Sequence, residues 1–194
     1  RIERKDFNDG SYSIHEYDSN GNEIKSSYYE ADGTLYEYFI YEYDSNGNLI
    51  KASYYNGDGT LYEYFIYEYD SNGNEIKCSW YNDGMLIHYY INEYDSNGEL
   101  IKENIYRADG TLYRVHEYDS NGNEIKTSYY YENGTLYYYS IYEYDSNGNE
   151  IKESNYDADG TLDYYWISEY DSNGNEIKRS CYNGDGTLIR EYTY

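Results

Sequence analysis

The chain has 194 residues, a formal net charge of −24, 36 tyrosines, no proline and only 39% hydrophobic residues, tyrosine included. Such acidity excludes nucleic acid and anionic membrane as partners, because both present phosphate to a surface that must be basic; no apolar run is long enough for a membrane-spanning helix. Low hydropathy with high charge is a signature of disorder, but 21% aromatic residues and a strict repeat predict a folded ladder of strands, to which the lack of proline is suited.

In chain order, Arg1 opens in mid-pattern with no signal peptide before it, as in a fragment of a larger protein, and Asp9-Gly10 is the first turn signal. YDSNGN then begins at Tyr17, and YDSNG returns at Tyr43, Tyr69, Tyr94, Tyr118, Tyr144 and Tyr170, defining about seven repeats of 24–26 residues in one repetitive domain over 1–194. Asp32-Gly33, Asp58-Gly59, Asp83-Gly84, Asp109-Gly110, Asn133-Gly134 and Asp159-Gly160 supply a second turn in each interval, and Asp185-Gly186 extends the series. Asn-Gly and Asp-Gly favour two-residue type I′ loops, whose central residues both need positive φ. Fifteen such turns predict about sixteen antiparallel strands and no helix.

The segments between turns agree. Leu35–Tyr43 is rich in strand formers, with Leu35, Glu37, Phe39, Tyr41 and Tyr43 on one face and Tyr36, Tyr38, Ile40 and Glu42 on the other. Neither face is cleanly apolar, unlike the inner face of a sandwich. Ideal pairing about these turns displaces equivalent residues by two for every two strands crossed, a stagger found in curved or spirally wound sheets, shell-like or large barrel-like. The expected fold is thus an all-β, repetitive antiparallel meander. The rhythm breaks twice. Lys77 to Gly84 is one residue short, which demands a bulge or a different turn to keep facing; Leu112 to Asp119 is two short, which preserves it. Trp80 to His116 is therefore where the architecture is expected to change.

Tyr41-Glu-Tyr43-Asp44-Ser-Asn46-Gly47-Asn-Leu49 resembles the YD repeat of the Rhs family, Tyr-x-Tyr-Asp-x-x-Gly-x-Leu/Ile. Tyr67, Tyr69, Asp70 and Gly73 match it, as do Tyr142, Tyr144, Asp145 and Gly148; His15, Asn92, His116 and Ser168 replace the first tyrosine elsewhere. The resemblance implies sheets that wind into a shell, in bacterial toxin carriers or in cell-surface adhesion proteins. It makes Tyr43, Asp44, Asn46, Gly47 and their counterparts turn and shell residues, places the protein outside the cell or on a bacterial surface, and names neighbouring domains of the same protein as partners.

Candidate chemistry is sparse. Each DSNGN turn carries oxygen ligands but has its glycine at position four, not the six of a calcium loop; an internal Asx hydrogen bond explains the aspartate, leaving room for weak Ca²⁺ association only. His15, His88 and His116 have no metal-ligand spacing, so neither metal nor cofactor is expected. Cys78 and Cys181 replace different repeat positions and do not suggest a disulfide. Glu16 and its counterparts before each YD should pair with the recurring lysines of the next strand, beginning at Lys25. Departures with extra aromatic area, Trp80, Tyr89, Tyr90, Tyr164, Tyr165 and Trp166, are the candidates for binding, since flat hydroxylated rings stack on pyranose faces. The sequence therefore predicts a non-catalytic structural scaffold, a shell or stalk able to mediate adhesion to surface polysaccharide or protein. Its alternative is a carbohydrate-binding module. Terminal strands would also permit end-to-end self-association.

Overall fold

The computed structural model describes residues 1–194 in full. Sixteen strands are hydrogen-bonded in chain order, every pair antiparallel, with β1 and β16 as the end strands. They divide between two compact units, Arg1–Ile91 and Asn92–Tyr194. The first holds β1 (Ile2–Asp6), β2 (Tyr12–Tyr17), β3 (Glu23–Tyr29), β4 (Leu35–Tyr43), β5 (Leu49–Asn56), β6 (Leu61–Tyr69), β7 (Glu75–Asn82) and most of β8 (Met85–Tyr94). The second holds β9 (Leu100–Arg107), β10 (Leu112–Tyr118), β11 (Glu124–Tyr130), β12 (Leu136–Tyr144), β13 (Glu150–Asp157), β14 (Leu162–Tyr170), β15 (Glu176–Asn183) and β16 (Leu188–Thr193). The expected meander is present.

The turns differ from the expectation. Asp44 N donates to Asn48 O at 2.9 Å and Gly47 N to Asp44 O at 3.2 Å, a three-residue loop in which Gly47 alone takes positive φ (89°). This is a type I turn closed by a left-handed glycine, and it recurs at every turn but one. Asn46 therefore does not adopt the positive φ that a type I′ loop requires. The reason is Asp44, whose Oδ1 accepts the amides of Asn46 and Asn48 while Oδ2 takes the Asn48 side chain; the carboxylate caps the wider loop from within. The exception is Asp83-Gly84, with φ of 48° and 76°, a true two-residue loop. It absorbs the residue missing between Lys77 and Gly84.

Mid-strand register follows the predicted stagger because two deviations cancel. The wider loop shifts pairing by one residue, and a bulge between Glu42 and Tyr43 shifts it back. Lys25 thus faces Ile40, which faces Ser53 and not Lys51. Each bulge interrupts the ladder, and buried carbonyls beside it need another donor. The YD tyrosine supplies one: Tyr43 Oη donates to Glu23 O at 2.9 Å, Tyr69 to Leu49 O at 2.9 Å, and Tyr144 and Tyr170 to Glu124 O and Glu150 O at 2.8 Å. At the opposite rim Gly57 N donates to Tyr36 O. A Cβ on Gly57 would lie 1.9 Å from Leu35 O, so only glycine fits there.

Within each unit a strand packs only on its sequence neighbours, as a single layer. The buried side chains are consequently small: Ser13, Ser26, Ser53 and Thr127 are each 1% exposed, and Ala52, Val115, Cys78 and Cys181 are the buried apolar ones. Rings roof them on both faces. One face repeats a fixed module, in which Glu42 pairs with Lys51 at 3.4 Å, Lys51 Nζ sits 5.6 Å from the Tyr64 ring centroid, and Tyr64 stacks on Tyr81 at 4.5 Å. Glu143, Lys152, Tyr165 and Tyr182 repeat it in the second unit. The pairing of glutamate and lysine rows is as expected. Ring pairs of this kind contribute roughly 0.5–1.5 kcal/mol each beyond burial, against about 0–1 for an exposed ion pair; the tyrosines, more than the charges, hold this face.

Two outcomes follow from these contacts. Tyr69→Phe leaves Leu49 O without its donor and should lower stability by about 1–2 kcal/mol in urea denaturation, whereas Tyr36→Phe, at a 62% exposed ring, should change nothing measurable. The Asn48 amide, opposed by partial burial and aided by the Asn48 side chain and the Asn46 amide, holds the Asp44 carboxyl below its ordinary range. A depressed folded-state pKa gives stability that is complete above about pH 4 and is lost as pH falls through the folded value. Thermal melts between about pH 6 and pH 2 should therefore show acid destabilisation that is smaller in Asp44→Asn.

Candidate binding groove

Strand alternation sorts the six candidate aromatics. Tyr89 and Tyr165 lie on the tyrosine–lysine face, with Lys77 Nζ 5.7 Å and Lys152 Nζ 5.8 Å from their rings. Trp80, Tyr90, Tyr164 and Trp166 lie on the opposite face, following the pairs Phe65–Trp80, Cys78–Tyr90, Asn155–Tyr164 and Glu153–Trp166. The structure thus separates residues adjacent in sequence.

In the first unit this face is filled. Tyr28, Phe39, Tyr54, Phe65 and Trp80 form a continuous series of ring contacts, 4.7–6.3 Å between centroids. Trp80 Nε1 donates to Glu63 and the indole meets His88 edge-on at 4.8 Å. Tyr90 Oη donates to Glu75 Oε1 at 2.6 Å; burial, then this carboxylate, push its phenol far above the ordinary range. Burial pushes the Cys78 thiol up to about 11, against a hydrogen bond with Tyr90. His15 joins Ser13 Oγ (2.9 Å) and Glu23 Oε1 (2.8 Å) in a line that mimics a hydrolase triad. Ser13 is 1% exposed, so its oxygen cannot reach a substrate. His116 differs, with Thr127 Oγ1 (3.2 Å) and Glu124 Oε2 (3.1 Å) both at its Nδ1.

The second unit is open where the first is filled. Ser140, Asn155 and Cys181 occupy the positions of Phe39, Tyr54 and Trp80 in the repeat, while Tyr138 and Tyr164 replace Glu37 and Glu63. Two clefts result. One of about 210 Å³ is walled by Tyr138, Asn155 and Tyr164; another of about 330 Å³ by Tyr164, Trp166, Asn183 and Arg190; Asp163 and Tyr164 belong to both. Asn155 and Asn183 flank Tyr164 on the neighbouring strands. Trp166 carries Arg179 over its ring at 4.9 Å and stacks on Tyr192 at 6.3 Å. The sequence reading missed Tyr138 and Asn155. Repeat-by-repeat superposition would have exposed both, as a ring where other repeats carry glutamate and an amide where they carry a ring.

Asp44, Asp70 and Asp145 spend their carboxylates inside their own turns, as anticipated for an Asx bond, with Gly47, Gly73 and Gly148 in the left-handed region. No group of three or more metal-ligating side chains converges. Cys78 and Cys181 are free and buried.

A family model described as "Protein of unknown function (DUF2963)" matches residues 37–80 and 80–129. No curated protein matches. Among solved structures, the Photorhabdus luminescens Tc holotoxin pore matches at TM-score 0.65 and 15% identity, over 94% of this chain and 9% of that one. A TcdB2–TccC3 structure without its hypervariable C-terminal region gives 0.44 at 17% identity, over 95% of this chain and 12% of that one. A porin-like protein from Bacteroides uniformis gives 0.42 at 12%, over 99% and 92%. The chain is a repetitive antiparallel β-sheet, similar in fold to a segment of the Tc holotoxin pore and spanning 9% of that chain.

With both thiols buried and raised by that burial, an aromatic disulfide reagent at about pH 8 should label neither cysteine in the folded protein and both in urea. Rapid labelling of Cys78 without denaturant would show that the aromatic cover opens.

Proposed function

We propose that this chain is a structural wall segment, part of the shell or stalk of a larger secreted or surface-displayed bacterial protein of the YD-repeat type. It performs no catalysis of its own. The observation that carries this reading is the repeat-to-repeat latch, in which the tyrosine of one YD turn satisfies the carbonyl at the bulge of the turn before it. Such a latch adds repeats without a second layer, which suits a wall extended by copying one unit. The fold likeness to a segment of a far longer toxin chain supports it. Partners on this reading are neighbouring repeats of the same protein: β1 and β16 are exposed along their whole length, and an uncovered edge accepts another strand, from the parent chain or from a second copy. Adhesion to surface polysaccharide or protein would follow from display outside the cell.

Immunoblotting of fractionated producer cells tests the proposal. The expected result is a species longer than 194 residues in the medium or among proteins shaved from intact cells by protease. A species confined to the cytosol would overturn it.

A further inference from the structure

The scaffold reading leaves unexplained why one face is filled in the first unit and open in the second. We infer that the paired clefts of the second unit are a saccharide-binding groove, with Tyr138, Tyr164 and Trp166 as platforms and Asn183, Asp163 and Arg190 as hydrogen-bonding groups between them. The inference goes beyond the wall role and does not depend on it.

The repeat itself provides the comparison. At equivalent positions the first unit places rings against rings, Phe39 on Tyr54 and Phe65 against Trp80, and the face closes. The second pairs Ser140 with Asn155 and Trp166 with Cys181. Losing those rings costs aromatic packing in a sheet that has no second layer to replace it; Tyr138 stacks on Tyr129 and Trp166 on Tyr192 to either side of the clefts. In the same stretch two repeats exchange a glutamate for a tyrosine; Tyr138 faces Asp157 and Tyr164 faces Asn155, so the two rings stand two strands apart and two residues out of step, about 12 Å between backbones.

The lining selects the ligand chemistry. Tyr164 is 36% exposed and Tyr137, beside the first cleft, 51% exposed, so ring faces are accessible. Asn155 is 5% exposed and spoken for, its oxygen accepting Ser140 Oγ at 2.7 Å and its amide donating to Glu153 at 3.2 Å, so it forms wall only; the Asn183 oxygen accepts the Thr187 amide, which leaves the Asn183 amide and Arg190 as donors and Asp163 as acceptor. An apolar peptide would require a deeper apolar pocket, and Ile189 is the one aliphatic side chain in the second cleft. A polyanion would meet a chain of net charge −24. An uncharged polysaccharide satisfies the rings and these polar groups together.

Native affinity electrophoresis through gels containing hydroxyethylcellulose, xyloglucan or glycol chitin tests the groove. The wild-type chain is expected to be retarded by at least one polymer. Tyr164→Glu and Asn155→Tyr restore residues that the first unit carries at equivalent positions (Glu63, Tyr54), so both should fold, as circular dichroism can check. Each should weaken retardation roughly tenfold or more, while Tyr55→Phe, on the tyrosine–lysine face, should not. Migration unchanged by all three polymers overturns the inference, as does retardation that persists in Tyr164→Glu. Either result leaves the wall proposal standing.

Discussion

The hydrogen bond from a YD tyrosine to the carbonyl beside the preceding bulge is the contact on which the rest of the sheet depends. A single-layer sheet has little apolar burial to spend, and every interruption of its ladder leaves a backbone group to be satisfied. The three-residue turn forces such an interruption, because it shifts register and a bulge must restore it. Tyr43, Tyr69, Tyr144 and Tyr170 close the resulting gaps, each reaching back one repeat. Turn, bulge and tyrosine therefore form one device, and the YD phrase is its sequence signature.

That device frees the two faces to differ. On one, glutamate, lysine and paired tyrosines recur with little variation, and mid-strand serines fit beneath them because larger side chains would displace the rings. On the other, residues vary from repeat to repeat. A filled aromatic row in the first unit and open clefts in the second coexist on the same backbone plan. Stability resides in the uniform face and variation in the other, the division expected where function is added to a scaffold.

Much of the fold was legible in the sequence. Strand number, antiparallel order, the Glu–Lys rows and the mid-strand register all follow from turn spacing and alternation. Turn type was not legible: Asp-Ser-Asn-Gly contains the Asn-Gly pair of a two-residue loop, but the Asp44 side chain stabilises a loop one residue wider. Register came out as expected only because the bulge cancels that difference. The site was half legible. Trp166 and Tyr164 stood out as extra aromatic area, yet the same criterion selected Tyr89 and Tyr165, which belong to the uniform face. Composition marks a ring without showing what lies beside it.

By itself the sequence determined that this chain is a repeated strand-and-turn ladder, since period and turn chemistry act locally and each repeat restates them. Tertiary structure alone decided which tyrosines are latches, which are rungs and which line an open groove. Those roles depend on the residue across the strand: Trp80 is enclosed because Phe65 and His88 face it, and Trp166 lines a cleft because its neighbour Cys181 is small. Cross-strand neighbours lie many residues apart in the chain, so the space between them exists only once the register is set.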